Sequence, residues 1–189
     1  MKNTRVKMLN AAFVLMLKKG YNAVSTRDIT NFLGVTASLP YRYFSSKREL
    51  LFEASKLYFC DRYFGGANVS DLTMREILYI IEDNMRDIVG LESDSGVRIN
   101  VAAYNKLYLE ALQSDGRFRE HIKKHVKLFR KSVLKAVESG ELKPLSDAFI
   151  ARVILDISGR CDTTVNRGNG SLKEIIDDLE DFYALIKAD

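Results

Sequence analysis

Apolar side chains recur every three or four positions along almost the whole of this 189-residue chain. That spacing puts them on one face of an α-helix, and no segment shows the period-two alternation of a half-buried strand. The sequence therefore predicts an all-α protein of about nine helices. These are one helix ending before Gly20, then 26–33, 36–44, 46–58, 73–88, 97–113, 116–139, 146–166 and 171–187.

Two short helices joined by a tight turn are predicted between Ser25 and Phe44. Ser25 suits the N-cap of the first helix, with Asp28 three residues later as the partner of a capping box. Gly34 suits the left-handed residue that ends this helix, and Thr36 is the expected N-cap of the next. The result is a helix-turn-helix whose second helix has the size of an element that enters the DNA major groove.

Charge is distributed unevenly along the chain. Residues 1–64 contain eleven Lys and Arg against four Asp and Glu, a net charge of +7, whereas residues 65–189 carry −3. A basic first third suits a polyanionic partner, although a solvated basic face gives the same count. The charge distribution is therefore compatible with DNA binding but does not establish it.

The helix that follows begins with a cation. Ser46 and Glu49 have the spacing of a second capping box, so Lys47 occupies the first helical position. A cation there opposes the helix dipole, whereas a phosphate bound at that end would accept hydrogen bonds from both the ammonium and the free backbone N–H groups. Arg27 has the same position in the preceding helix.

Three polar residues cluster at the end of the second short helix, namely Tyr41, Arg42 and Tyr43. Phenol hydroxyls and a guanidinium suit contacts with phosphates or base edges. In the alternative interpretation the two tyrosines belong partly to the core and Arg42 is a solvated surface residue.

The order of these motifs resembles one known family. Residues 5–57 are similar to the N-terminal DNA-binding domain of the tetracycline-repressor (TetR) family of bacterial transcription regulators. The matching features are Lys19-Gly20-Tyr21, Ser25-Thr26-Arg27-Asp28-Ile29, Leu33-Gly34-Val35-Thr36, Tyr41-Arg42-Tyr43-Phe44, Ser46-Lys47 and Leu50-Leu51.

The resemblance implies a role for each matching residue. Arg27, Tyr41 and Lys47 correspond to contacts with the DNA backbone, and Ala37, Ser38 and Leu39 to positions that face base edges. The recognition helix comprises Thr36, Ala37, Ser38, Leu39, Tyr41, Arg42 and Tyr43, and the expected small core comprises Phe13, Ile29, Leu33, Val35, Phe44 and Leu50.

Pro40 departs from the family pattern, which has Leu, Ile or Phe before the first tyrosine. With Thr36 as N-cap, Pro40 removes the bond to the Thr36 carbonyl and its ring crowds that oxygen. A helix that begins later or is tilted is therefore expected. Since Ala37, Ser38 and Leu39 offer no bidentate base reader, specificity is expected to depend on Tyr41, Arg42 and DNA shape.

For the remaining two-thirds, the resemblance implies a helical effector-binding and dimerisation domain over 65–189, after a DNA-binding domain over 1–64. Helices 146–166 and 171–187 are the implied dimer interface, although the apolar stripe of the last helix could equally be buried within one monomer. Homodimerisation also suits a palindromic operator, because two-fold symmetry doubles the base contacts. Candidate ligand-binding residues in an effector pocket are Tyr104, Asn105 and Tyr108.

Other kinds of site are not expected. His121 and His125 are one helical turn apart, but three lysines surround them, which disfavours a divalent cation. Cys60 and Cys161 share no motif spacing, so either is more simply a buried small residue than a redox sensor. No metal and no cofactor is predicted.

The sequence also lacks the signals of a membrane protein or an enzyme. The longest uncharged stretch, 29–41, is too short to span a bilayer, and no secretory signal or catalytic motif is present. The predicted protein is a cytoplasmic transcriptional regulator, most simply a repressor released from a palindromic operator by a small-molecule effector. The alternatives are a regulator of the same fold controlled by a protein partner and an all-α enzyme.

Overall fold

The computed structural model describes residues 2–61, 72–83, 101–152 and 172–188. Within these ranges the chain is helical, has no β-strand and contains one isolated bridge, between Leu142 and Lys187. The predicted all-α class is confirmed. The helices are α1 (Lys2–Lys19), α2 (Thr26–Leu33), α3 (Lys47–Lys56), α4 (74–83), α5 (Val101–Ser114), α6 (Gly116–Glu138), α7 (147–152) and α8 (Leu172–Ile186).

The chain packs as two compact units. In the described ranges, the first unit contains residues 2–61 and 101–121, and the second contains 72–83, 122–152 and 172–188. Helix α5 packs against α1 and α3 within the first unit. Helix α5 and the predicted DNA-binding residues therefore belong to the same compact unit. The functional division into 1–64 and 65–189 stays a prediction.

The core of the first unit is an aromatic cluster centred on Phe13. Phe13 is completely buried and its ring stacks on that of Tyr58 at 3.9 Å, while Phe59 meets it edge-on at 5.6 Å. The Tyr58 hydroxyl donates to Asn10 Oδ1 at 2.6 Å, which pairs the polar end of a buried ring. This cluster attaches the segment after α3 firmly to α1. Further rings in the cluster come from Tyr104, Tyr108 and Phe118.

In the second unit, the Glu141 carboxylate joins α4 to α8. It accepts hydrogen bonds from the backbone N–H groups of Met74 and Arg75, at 2.9 and 3.0 Å, and from the Tyr183 hydroxyl at 3.1 Å. An anion at a helix N-terminus is stabilised by free N–H groups and the helix dipole. The predicted start of this helix at Thr73 is also formed, since Glu76 donates its backbone N–H to the Thr73 hydroxyl.

Candidate nucleic-acid interface

Helix α2 begins and ends as its sequence predicts. Ser25 has an extended backbone, its hydroxyl accepts from the Asp28 N–H at 3.1 Å, and the Asp28 carboxylate accepts from the Ser25 N–H at 2.8 Å. Hydrogen bonds from Lys19 and Ser25 hold the pKa of Asp28 well below its usual range. At the other end Gly34 has φ +65°, and the Val35 N–H reaches the Thr30 carbonyl at 3.0 Å. Both ends of α2 are therefore fixed locally.

Loss of the first cap should destabilise the protein measurably. Ser25→Ala removes the acceptor for the Asp28 N–H, and we expect the free energy of unfolding to fall by about 1 kcal/mol. Urea denaturation followed by circular dichroism measures this loss. Ser38→Ala is the matched control, since Ser38 is exposed in a turn, and its midpoint should equal that of the wild type. Equal midpoints for both variants would contradict the assigned cap.

The recognition segment, residues 36–43, differs from the regular helix that the sequence predicts. The Leu39 N–H bonds to the Thr36 carbonyl at 3.1 Å, and a 3₁₀-helix then runs over Pro40–Arg42. Because Pro40 has no N–H to offer, the Thr36 carbonyl is paired one residue earlier in a tight turn. Proline occupies the first position of the 3₁₀-helix, where its fixed φ is favourable. The prediction of a helix that begins at Thr36 was wrong in this respect, whereas a later start was expected from Pro40.

The recognition segment exposes most of the residues predicted to contact DNA. Within the segment, Pro40 is buried, Leu39 and Tyr43 are half-buried, and the Tyr41 side chain is 60% exposed. The segment therefore presents a polar face above an apolar base, as a reader of DNA requires. The exposed members are Thr36, Ala37, Ser38, Tyr41 and Arg42.

Two exposed arginines of the helix-turn-helix lack an ion-pair partner among the described residues. These are Arg27, in the first turn of α2, and Arg42, at the end of the 3₁₀-helix. By contrast, Arg5 pairs with Glu53 at 3.2 Å. Arg27 and Arg42 therefore offer guanidinium groups that no described carboxylate neutralises, which suits phosphate or base contacts.

Lys47 begins α3 as predicted, but its ammonium is already engaged. The Nζ atom donates to the Asn22 carbonyl at 3.1 Å, which leaves two of its three protons for a phosphate. Ser46 is the N-cap and accepts from the Glu49 N–H at 3.1 Å. The reciprocal half of that predicted capping box is not formed, because the Glu49 carboxylate accepts from Arg117 Nη1 at 2.6 Å instead.

A buried carboxylate supports α3 from outside the predicted DNA-binding domain. Asp115, at the corner between α5 and α6, is completely buried and accepts from Arg48 Nε at 3.3 Å and Arg117 Nη2 at 2.9 Å. It also accepts from the Arg117 backbone N–H at 2.9 Å, which caps α6. The Arg117 guanidinium lies 4.2 Å from the centre of the Phe52 ring. One acid thus joins α3 to the corner.

A second contact holds the turn between α1 and α2. The Glu110 carboxylate accepts from the Tyr21 N–H at 2.8 Å, and the Asn22 amide donates to the Ser114 hydroxyl at 3.2 Å. Sequence reasoning missed Glu110 and Asp115 because each is about 70 to 90 residues from its partner. The one available signal in the sequence was the position of Asp115 directly before α6, where an aspartate can act as the N-cap.

The predicted core of the helix-turn-helix is largely correct. Phe13, Ile29, Phe44 and Leu50 are each at most 4% exposed. Leu33 and Val35 are only half-buried, because the turn that contains Gly34 lies at the surface. The four buried residues therefore hold α2, the recognition segment and α3 against α1.

The candidate ligand-binding residues lie on α5, half-buried. Tyr104 and Tyr108 pack edge-on against Phe59 at 4.8 and 5.3 Å, and the Tyr104 hydroxyl donates to the Tyr58 carbonyl at 3.4 Å. Burial raises the pKa of Tyr108 to about 12. Both tyrosines thus contribute to the aromatic cluster, and their role with Asn105 in binding a ligand stays a prediction.

The second unit contains a separate cleft between α4 and α8, with a volume of about 280 Å³. Its walls include Leu78 and Leu179, and the Arg75 guanidinium lies between two rings, 5.4 Å from Tyr79 and 5.6 Å from Tyr183. None of these residues was singled out as a ligand contact from the sequence.

In the described part of the chain, no helix is both long and apolar enough to cross a membrane.

Comparisons with known proteins agree with this geometry. Residues 8–54 match the model of a family described as bacterial regulatory proteins, tetR family. The transposon Tn10 TetC protein of Escherichia coli is 25% identical over 195 residues, covering 98% of this chain and 90% of that protein. The match to the family therefore covers the helix-turn-helix, and similarity to TetC extends over nearly the whole chain.

Two solved structures share the fold. A TetR-family transcriptional regulator from Agrobacterium tumefaciens has a TM-score of 0.66 and 17% identity, with 99% of each chain covered. A regulator from Saccharomonospora viridis, solved in complex with choline, has a TM-score of 0.59 and 18% identity, with both chains fully covered. At these identities the likeness concerns the fold alone.

Proposed function

Because this chain belongs to the TetR family of bacterial regulatory proteins, we propose that it acts as a sequence-specific repressor. In this proposal a homodimer binds a palindromic operator in the cytoplasm, and a small molecule that binds residues after 64 releases it. The DNA-binding part of the proposal rests on the family and on the recognition segment. Homodimerisation, repression and release by an effector are additional parts of the proposal that go beyond these two observations.

One observation carries the DNA-binding role. The recognition segment has an exposed polar face, and Arg27 and Arg42 of the same helix-turn-helix lack an ion-pair partner among the described residues. A helix-turn-helix with a purely structural role would gain nothing from exposed cations that have no counter-charge. Binding to phosphates supplies that counter-charge.

The homodimer follows from the small size of this reader. Eight residues can contact only a few base pairs, and a two-fold axis doubles the contacts on an inverted repeat. The helices implied to form the interface carry exposed apolar side chains in their described parts. Phe149 on α7 is 40% exposed and Leu185 on α8 is 71% exposed, which suits a surface covered by a second copy.

For the effector, the structure offers two places. One is the cluster around Tyr104, Asn105 and Tyr108, and the other is the cleft between α4 and α8. The choline complex of the Saccharomonospora viridis regulator supports a small molecule as the ligand of this fold. We propose no catalytic role for either place.

The direct test is enrichment of genomic DNA. Purified protein is incubated with sheared genomic DNA from its host at near-physiological salt, and the retained fragments are sequenced. We expect a few fragments that share an inverted repeat. Uniform retention that vanishes as salt rises would indicate only non-specific electrostatic binding and would contradict an operator-specific regulator.

Thermal denaturation separates a small-molecule effector from a protein partner. A ligand that binds the native state raises the melting temperature by mass action. We expect at least one pool of host metabolites to raise it and to release the enriched DNA. If no pool does so, whereas a host protein releases that DNA, the regulator is controlled by a protein partner.

Lys47→Ala should weaken binding to DNA of any sequence. Removing one phosphate contact per binding head should reduce the slope of log affinity against log salt by about one unit per head. Fluorescence anisotropy with mixed-sequence duplex at several salt concentrations measures this slope. Lys131→Ala, which removes an exposed cation of the second unit, is the control and should leave the slope unchanged. A wild-type slope in Lys47→Ala would contradict the phosphate role.

A further inference from the structure

The cleft between α4 and α8 in the second unit has an arginine fixed in its wall. The Arg75 side chain donates from Nε to the Tyr79 hydroxyl at 3.1 Å, and its guanidinium lies between the rings of Tyr79 and Tyr183. The Glu141 carboxylate connects the two helices here, because it accepts from the Arg75 backbone N–H at 3.0 Å and from the Tyr183 hydroxyl at 3.1 Å. A side chain that is held in this way loses little conformational entropy when it binds a ligand.

The outer end of this guanidinium is available for a ligand. The two Nη groups of Arg75 have no hydrogen-bond acceptor among the described residues, and no described carboxylate forms an ion pair with them. A planar guanidinium with unused donors is the side chain best suited to bind a carboxylate through two parallel hydrogen bonds. The cleft therefore offers a place for a carboxylate group.

A carboxylate of the protein lies near Arg75 in the same cleft. Glu180, on α8, is exposed and lines the cleft without an ion-pair partner among the described residues. The hydrogen bond to Tyr79 and, to a smaller extent, the charge of Glu180 raise the pKa of Arg75, which places the two charged groups within electrostatic range of each other. An α-amino acid carries its carboxylate and ammonium groups on one carbon atom, so the partners of these groups must be neighbours. Arg75 and Glu180 meet that condition.

The rest of the cleft indicates the size and polarity of the ligand. Leu78 and Leu179 are buried and line the cleft from opposite helices, so an apolar side chain can be buried against them. The volume of about 280 Å³ lies at the lower end of the range for ligand pockets, about 300–1,000 Å³, and suits a small metabolite. Two cations against three carboxylates give the walls a net charge of −1, which favours a ligand without net charge over a small anion. These charged residues are Arg75, Lys187, Glu82, Glu180 and Asp181.

We propose that this cleft binds an α-amino acid with an apolar side chain. The carboxylate of the ligand accepts hydrogen bonds from Arg75, and its ammonium group pairs with Glu180. Its side chain packs against Leu78 and Leu179. Binding itself does not depend on the proposed function, whereas a role of the amino acid as effector rests on it.

The test measures binding of amino acids to the DNA-free full-length protein by isothermal titration calorimetry. The probes are L-valine, L-leucine, L-isoleucine, L-methionine and L-phenylalanine, with glycine as the amino acid that lacks a side chain. We expect at least one of the five to bind with a Kd of about 1 mM or tighter, and glycine to bind at least about tenfold more weakly.

Analogues of the best amino acid then test each half of the ligand. For phenylalanine these are phenethylamine, which lacks the carboxylate, and 3-phenylpropanoate, which lacks the ammonium group. We expect the analogue without the carboxylate to bind at least about tenfold more weakly than the amino acid, and the analogue without the ammonium group at least about threefold more weakly.

Two variants test the assigned partners. Arg75→Gln should weaken binding of the amino acid at least about tenfold. Glu180→Gln should weaken it about three- to fivefold but should not weaken binding of the analogue without the ammonium group, a difference that a general disturbance of the cleft would not produce. The matched controls are Lys131→Gln and Asp177→Asn, which change exposed residues of the second unit outside the cleft and should bind as the wild type does. Circular dichroism checks that each variant is folded, and Arg75→Lys, which lacks the planar fork, replaces Arg75→Gln if the latter fails to fold.

Three results would overturn the proposal. They are the absence of binding by all five apolar amino acids, undiminished binding in the Arg75 variant, and equal binding of the amino acid and its analogue without the ammonium group. The last result would indicate a site for simple carboxylates. Release of the enriched DNA by the same amino acid is measured separately, and binding without release would contradict only the role as effector. A failure to enrich genomic DNA would leave the calorimetry unaffected, so the two proposals fail independently.

Discussion

Replacing Asp115 with alanine should lower the free energy of unfolding by about 3 kcal/mol. The variant loses the N-cap of α6 and the charge-assisted bonds to Arg48 and Arg117. Caps contribute about 0.5–2 kcal/mol, and hydrogen bonds to charged groups about 1.5–3 kcal/mol. The sum is reduced because the Arg48 and Arg117 side chains are 67% and 46% exposed, so water can solvate them after the substitution.

The measurement is chemical denaturation at neutral pH. The control is Asp147→Ala, which removes an exposed aspartate that pairs with Arg130 at 3.0 Å. Because the Asp147 side chain is 85% exposed, its loss should change the free energy of unfolding by less than about 0.5 kcal/mol. If the two substitutions have equal effects, Asp115 does not support the fold as assigned.

Asp115 should also make the stability of the protein depend on pH. Burial alone would raise the pKa of Asp115, but hydrogen bonds from Arg117 and Arg48 outweigh it and hold the pKa below its usual value of 3.8. A carboxyl group with a lowered pKa stabilises the fold above its unfolded pKa, and that contribution disappears as the pH falls through the folded pKa. As the pH falls from 5 to the lowest value at which the protein still folds, we expect the free energy of unfolding to decrease less in Asp115→Asn than in the wild type. Chemical denaturation at each pH measures this difference. If the free energy of unfolding decreases equally with pH in both proteins, Asp115 does not cause the acid sensitivity.

Local signals predicted both ends of α2. Ser25 and Asp28 lie three residues apart, and Gly34 ends the same helix, so the hydrogen bonds that fix α2 connect residues within one or two turns. Such bonds depend only on residue type and spacing. The α2 boundaries were therefore readable from the sequence.

The recognition segment was predictable only in part. The presence of Pro40 in the sequence establishes that one backbone N–H is missing. Several backbone conformations can accommodate a proline at this position, however. In the structure the Thr36 carbonyl pairs with Leu39, and the Pro40 carbonyl accepts from both Tyr43 and Phe44, at 3.0 and 2.9 Å. Which arrangement forms depends on burying Pro40 and Phe44 against the rest of the domain, and sequence spacing contains no measure of that.

Contacts between distant residues were beyond sequence reasoning. Asp115 meets Arg48 across 67 positions, and His121 meets Asp61 across 60. Helical periodicity states that a residue lies on a buried face, but not which residue it meets there. For the same reason, Tyr104 and Tyr108 could be placed toward the interior, whereas their packing against Phe59 was unknown.

The most informative substitution in the recognition segment is Arg42→Ala. Ala37 and Ser38 are too small for bidentate base contacts, and Leu39 is half-buried and apolar, so Arg42 is the exposed side chain of this segment that can read a guanine edge. We expect Arg42→Ala to weaken binding to the enriched inverted repeat by about 10- to 100-fold, the range for one bidentate contact. The measurement is fluorescence anisotropy against that repeat and against mixed-sequence duplex.

Arg42→Lys then separates base reading from phosphate binding. A lysine keeps the positive charge but lacks the planar fork, so it should restore affinity for mixed-sequence DNA while leaving much of the preference for the repeat lost. If Arg42→Lys restores both, the residue acts as a charge on the backbone, and sequence preference must come from Tyr41 or from DNA shape. If Arg42→Ala binds both duplexes as the wild type does, the 3₁₀ turn imposed by Pro40 has moved this side chain away from the groove. The altered start of the recognition segment would then decide how the protein reads DNA.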